Sequence, residues 1–142
     1  MRRSSALCLD ANLVIRYLQD EPTPSVRQLW QEWLGEGRQL HAPSLIYYEV
    51  ASGLHRLERA GKMTTLAATK ALVMACEIPI EVHRDEALHV HASRLARDHR
   101  LPATCDAHYL ALAERLGIEL WTADAKLAGA VSERMPWVRL VA

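Results

Sequence analysis

Short apolar runs alternate with amphipathic stretches along this 142-residue chain, and no other feature constrains its fold as strongly. Ala6-Leu7-Cys8-Leu9 reads as a buried strand. Further strands are expected at residues 40–42, 78–83, 118–121 and 137–141, with Pro79 near the start of the third. Between them lie helical patterns. Val26, Leu29, Trp30, Trp33 and Leu34 recur at the spacing of one helix face, which Gly35 and Gly37 close. Other helices are expected at residues 13–18, from Ser44 as N-cap to Ala60 before Gly61, and from Thr64 or Thr65 to Cys76. Three more follow: Asp85 to His99, Asp106 to Leu116 before Gly117, and Ala125 to Arg134. Strands separated by helices predict an α/β fold, with a mainly parallel sheet of about five strands covered on both faces. The length suits one domain over residues 1–142.

The charge balance is neutral, with 17 basic and 17 acidic residues. A sequence-blind electrostatic nucleic-acid binder would be basic, so that class is disfavoured. A metal enzyme is not: with four acids committed to a cation, 13 acids remain against 17 bases. Cys8, Cys76 and Cys105 form no C-x-x-C pair, so a disulfide scaffold is not expected and a reducing, cytoplasmic setting is. The apolar run after Met1-Arg2-Arg3 is too short for a signal peptide. No run reaches the roughly 20 apolar residues of a membrane helix.

Four acids stand out by position. Asp10 follows the first strand and Asp124 follows the fourth. In open parallel sheets the functional crevice lies outside the carboxyl ends of the strands. Were these two strands neighbours, about 4.8 Å apart, both carboxylates would enter one small space. Asp106 falls in the first turn of its helix. Glu49 lies among Leu45, Ile46, Tyr48 and Val50, and Gly53 one turn on leaves its face uncrowded. Each acid also has a simpler role: Asp10 and Asp124 as N-caps, Asp106 as a first-turn acid, Glu49 as a solvated side chain. If the fold gathers them, they repel one another and their pKa values rise unless a cation is present. A hard divalent cation such as Mg²⁺ takes oxygen ligands and suits phosphodiester cleavage.

At these residues the chain resembles the PIN-domain nucleases, most closely the VapC-like toxins of toxin–antitoxin pairs. The matching stretches are Leu9-Asp10-Ala11-Asn12, Tyr48-Glu49-Val50, the run from Asp106 to Glu114, and Thr122-Ala123-Asp124-Ala125-Lys126-Leu127. The resemblance implies a three-layer α/β/α fold and an endoribonuclease dependent on Mg²⁺ or Mn²⁺. It implies that Asp10, Glu49, Asp106 and Asp124 form the acidic site, with Asp10 and Asp106 as principal metal ligands. Asn12 and Thr122 match positions that support those acids by hydrogen bonds. It further implies an RNA substrate, a homodimer, and a cognate antitoxin that inserts a peptide near the acids. Cys105, just before Asp106, is a modest departure from the family pattern.

Other readings carry less. His89-x-His91 is the close histidine pair, but residues two apart do not share a helix face, and no zinc-finger spacing is present. His108 is expected on the surface. Trp30 and Trp33 are expected in the core, and Tyr47, Tyr48 and Tyr109 to pack rather than to stack on bases. Arg56, Arg59 and Lys62 complement a helix C-terminus or contact RNA phosphates. A phosphatase with an Asp nucleophile would want a second Asp where Asn12 stands. A non-catalytic PIN-like module that binds RNA or a partner protein is the alternative to an enzyme.

Overall fold

The computed structural model of the chain describes residues 5–19 and 23–141. Strand β1 (Ala6–Leu9) leads into helices α1 (Ala11–Tyr17) and α2 (Pro24–Gly35). Strand β2 (Gln39–Pro43) is followed by α3 (Leu45–Arg59) and α4 (Thr65–Glu77). Strand β3 (Ile80–His83) is followed by α5 (Glu86–Asp98) and α6 (Cys105–Leu116). Strand β4 (Glu119–Thr122), α7 (Ala125–Val131) and β5 (Val138–Leu140) complete the order.

All strand pairings are parallel, and the sheet order is β3-β2-β1-β4-β5. The chain therefore builds outward from β1 in one direction, then returns to its other side. That reversal sits between β1 and β4, where parallel sheets open a crevice at their carboxyl ends. The register pairs Leu9 with Trp121, and the Asp10 N–H donates to the Trp121 carbonyl at 3.2 Å. Helix α1 packs on α2 and α3, and α3 on α4. Helix α5 packs on α6, and α6 lies against β1, β2 and β4. The result is the expected three-layer α/β/α arrangement.

The core follows from the apolar pattern. Leu7, Leu9 and Leu120 are fully buried in the sheet, and Leu110 and Leu112 in α6. Trp30 and Trp33 are buried, as their helix spacing predicted. Tyr17 stacks on Trp30 with centroids 4.4 Å apart, Trp30 meets Trp33 edge-on at 5.4 Å, and Trp33 meets Trp121 at 5.7 Å. This aromatic chain ties α1 and α2 to β4. Each such pair adds about 0.5–1.5 kcal/mol beyond the area it buries.

Several boundaries differ from expectation for local reasons. Helix α1 starts at Ala11, not Leu13, because the Asp10 side chain accepts the Leu13 N–H at 3.1 Å and sets the first turn there. Strand β3 starts at Ile80, beyond Pro79, which has no N–H for the ladder. Helix α7 stops at Val131, short of Arg134; the Arg134 and Met135 N–H groups both turn back to the Val131 carbonyl. Ser44 adopts helical angles and makes no side-chain cap, while its N–H donates to the His83 carbonyl at 2.9 Å. Thr64 and Asp85 do cap their helices, accepting from Ala67 and Leu88. Among the described residues no helix is long and apolar enough to cross a membrane.

Candidate active site

Asp10 directly follows β1, and Asp124 stands two residues beyond the end of β4. Both are N-caps; Asp10 is buried and Asp124 half-buried. Asp10 is buried, with one carboxylate oxygen accepting the Leu13 N–H and the other a short hydrogen bond from the Thr122 hydroxyl. Asp124 accepts the Lys126 and Leu127 N–H groups at 2.9 and 3.1 Å, both on Oδ1. Thr122 is fully buried and joins the two acids. Its hydroxyl donates to Asp10 and accepts the Asp124 N–H at 3.0 Å. A β-branched residue held at one rotamer suits this bridging position.

Asp106 lies in the first turn of α6 and is half-buried. Glu49 lies one turn inside α3 and accepts a hydrogen bond from the Tyr109 hydroxyl at 2.5 Å. Tyr109 is three residues beyond Asp106, hence on the same helix face, and is almost fully buried. It thus packs as expected, but its hydroxyl also positions Glu49, which the sequence reading missed. The i, i+3 spacing from Asp106 was the available signal.

The four acids feel one another's charge. Burial is the main cause that pushes the Asp10 carboxyl up to about 6 from 3.8; hydrogen bonds from Thr122 and Leu13 oppose this, and Asp106 and Asp124 add to it. Burial, then Asp124 and Glu49, raise the Asp106 pKa. Burial and the neighbouring Glu49 carboxylate likewise raise the Tyr109 hydroxyl, keeping it a donor. Among the described residues, no Lys or Arg forms an ion pair with any of the four acids. Among the described residues, no three of these acids bring ligand atoms within 4.8 Å of one another. Mutual repulsion without a counterion favours such spacing. A Mg²⁺ ion needs only one or two protein carboxylates directly, with water completing its shell, so the oxygen donor set fits such an ion.

The remaining positions sort differently. Asn12 is exposed and lines a groove of about 450 Å³ with Arg16, Gln19, Arg56 and Lys62. Arg56, in the last turn of α3, and Lys62, just beyond that helix, thus both face this groove. Gly53 serves close helix packing rather than room for Glu49: a Cβ there would stand 2.4 Å from Ile15 Cδ1. Tyr48 is 76% exposed, not packed. His108 is half-buried rather than on the surface. Its Nδ1 bonds the Thr104 carbonyl at 2.7 Å and its Nε2 meets His89 Nδ1 at 2.8 Å. A carbonyl only accepts, so His108 carries its proton on Nδ1, and with that ring neutral His89 donates. Cys8 is buried, and Cys76 and Cys105 are exposed and free.

Known proteins share this architecture. The solved structure "Toxin-antitoxin complex from Klebsiella pneumoniae" superposes with a TM-score of 0.65 at 17% identity, over 93% of this chain and 94% of that one. "Crystal Structure of FitAcB from Neisseria gonorrhoeae" superposes with a TM-score of 0.62 at 15% identity, over 96% of each chain. At these identities the likeness is one of fold. In sequence, the chain is 37% identical over 91 residues to "Ribonuclease VapC3" of two Mycobacterium tuberculosis strains, CDC 1551 and H37Rv. That match spans 64% of this chain and 64% of the length of each relative. The PIN domain profile matches residues 7–131, which include all four acids, Thr122 and Tyr109. With most of its length inside that match, and the parallel sheet and carboxyl-end crevice described above, the chain belongs to the PIN domain family.

Proposed function

We propose that this protein is a divalent-metal-dependent endoribonuclease, the toxin of a toxin–antitoxin pair. One observation carries the reading: Asp10, with its pKa pushed up to about 6, shares a crevice with Asp106, Asp124 and Glu49, and none has a Lys or Arg partner among the described residues. Unpaired like charges gathered at a sheet switch point call for a cation. The ribonuclease named among the relatives supports RNA as substrate.

In this reading Asp10 and Asp106 are the main ligands of Mg²⁺ or Mn²⁺, with Asp124 and Glu49 completing the acidic set. When bound, the ion activates water and neutralises charge that develops on the phosphate. The chain's own residues do the rest. Thr122 holds Asp10 in its ionised form and anchors the backbone of Asp124. Tyr109 keeps Glu49 turned toward the crevice. Arg16, Arg56 and Lys62 line a groove together with Asn12, which is two residues from Asp10 in sequence, and bind backbone phosphates there. A cognate antitoxin that inserts a peptide near the acids is the expected inhibitor, consistent with the toxin–antitoxin complex among the fold neighbours. A single domain, a homodimer and a cytoplasmic location complete the proposal.

The test is direct. Metal-stripped parent and Asp10→Asn protein are incubated with total cellular RNA across a Mg²⁺ or Mn²⁺ titration. The parent is expected to give new RNA ends only when metal is added, and Asp10→Asn none. Equal cleavage by the variant overturns the site, and no cleavage by the parent in any metal leaves a binding module.

A further inference from the structure

Away from the acids, β2 and β3 bring together three potential ligands of a different kind. His41 on β2 and Glu81 on β3 are paired in the parallel register, and His83 lies two residues beyond Glu81 on the same sheet face. His41 Nδ1 stands 2.9 Å from His83 Nε2 and 3.7 Å from a Glu81 carboxylate oxygen. All three ligand atoms fall within 4.8 Å of one another. His41 is buried, His83 half-buried and Glu81 exposed, so the set opens outward at the sheet edge.

From this geometry we infer a binding site for a borderline divalent metal of the Zn²⁺ class, held by His41 Nδ1, His83 Nε2 and the Glu81 carboxylate, with water as fourth ligand. Tetrahedral zinc holds imidazole nitrogens about 2.0–2.1 Å away, which puts two such nitrogens roughly 3.3 Å apart. The two rings need to part by only a few tenths of an ångström. Imidazole selects zinc, copper or nickel over Mg²⁺, which prefers oxygen. The site therefore does not compete for the ion that the acids would hold.

One further feature bears on the charge around the site. Arg115, a cation close enough to act on His83, is held in a two-pronged pair with Asp85 at 3.0 and 2.9 Å, which offsets its charge. In the neutral hydrogen-bonded pair one ring already carries its proton on the outer nitrogen, so only the donor ring has to switch tautomer for both inner nitrogens to face the ion. The ion would clip edge strand β3 to β2 just where α3 begins.

This inference is independent of the nuclease reading, and its test keeps the two apart. Untagged, metal-stripped full-length protein is loaded with Zn²⁺, desalted and assayed for zinc per chain. Co²⁺ loading is followed by its visible absorption. The parent and Asp106→Asn are expected to retain one zinc per chain and to give a tetrahedral Co²⁺ spectrum. Loss of outer-shell partners alone weakens metal sites by about 10–100-fold. His83→Ala and Glu81→Gln, which remove ligands, are expected to weaken binding more than about 100-fold. No stoichiometric zinc in the parent overturns the site. So does zinc that survives both ligand variants, or zinc lost in Asp106→Asn but kept in His83→Ala.

Discussion

Strand β4 has an acid at its start and leads into another, and the two are treated in opposite ways. At the start, Glu119 lies between two cations, 2.8 Å from Arg139 Nε and 3.9 Å from Arg38 Nη2. Just beyond the other end, Asp124 faces Asp10 and Asp106, and among the described residues no Lys or Arg pairs with any of them. Paired charge at one end is internally settled and serves the fold. Unpaired like charge at the other end costs stability, and the proposed cation would recover that cost.

The widest separation between the two ends is expected from one amide substitution at each. Asp106→Asn should lower metal-dependent RNA cleavage by more than about 100-fold, since even outer-shell changes cost about 10–100-fold. Its unfolding midpoint without metal should hold or rise, because repulsion with Asp124 and Glu49 is relieved. Glu119→Gln should do the reverse. Cleavage is unchanged, while stability drops by about 1–3 kcal/mol as the buried Arg38 loses its charged partner. Chemical denaturation and a cleavage assay on both variants check this.

A smaller effect is expected at the bridge. Thr122→Val keeps the shape but removes the donor to Asp10 and the acceptor for the Asp124 N–H. Cleavage should fall by about 10–100-fold. Losing a bond that favours the ionised carboxylate should also move the acid limb of the rate–pH profile to higher pH. Smaller still, Tyr109→Phe frees Glu49 while keeping the ring packed, and should lower cleavage by about tenfold, the low end of that range.

Asp10 also sets a pH dependence. Its carboxyl titrates at about 6 in the folded chain against 3.8 when free. Between those values the folded chain holds more protons than the unfolded one, so this group's contribution lowers stability as pH rises through the window. Mg²⁺ should counter that loss. Its stabilising effect, read by thermal melts, is therefore expected to be larger near pH 7 than near pH 5.

Local chemistry made much of this legible in sequence. Alternating apolar runs and helix faces announced the order of strands and helices, and Thr64, Asp85, Asp10 and Asp124 cap helices where their side chains suggest. The four acids were legible as candidates because two of them follow strands, but their meeting depends on the return from β3 to β4, which no local pattern encodes. The Tyr109 bond to Glu49 spans 60 residues and rests on the packing of α6 near α3. The His41 and His83 pair, 42 residues apart, depends on strand register, so searching for nearby histidines found His89 and His91 instead. Gly53 was misread for a similar reason: what it accommodates is Ile15 on another helix.

The most direct measurement is a thermal melt of metal-stripped protein with and without Mg²⁺, in the parent, Asp106→Asn and His83→Ala. A midpoint that rises with Mg²⁺ in the parent and His83→Ala, but not in Asp106→Asn, is the predicted result. No rise in the parent, or an equal rise in Asp106→Asn, would contradict a cation-holding carboxylate crevice.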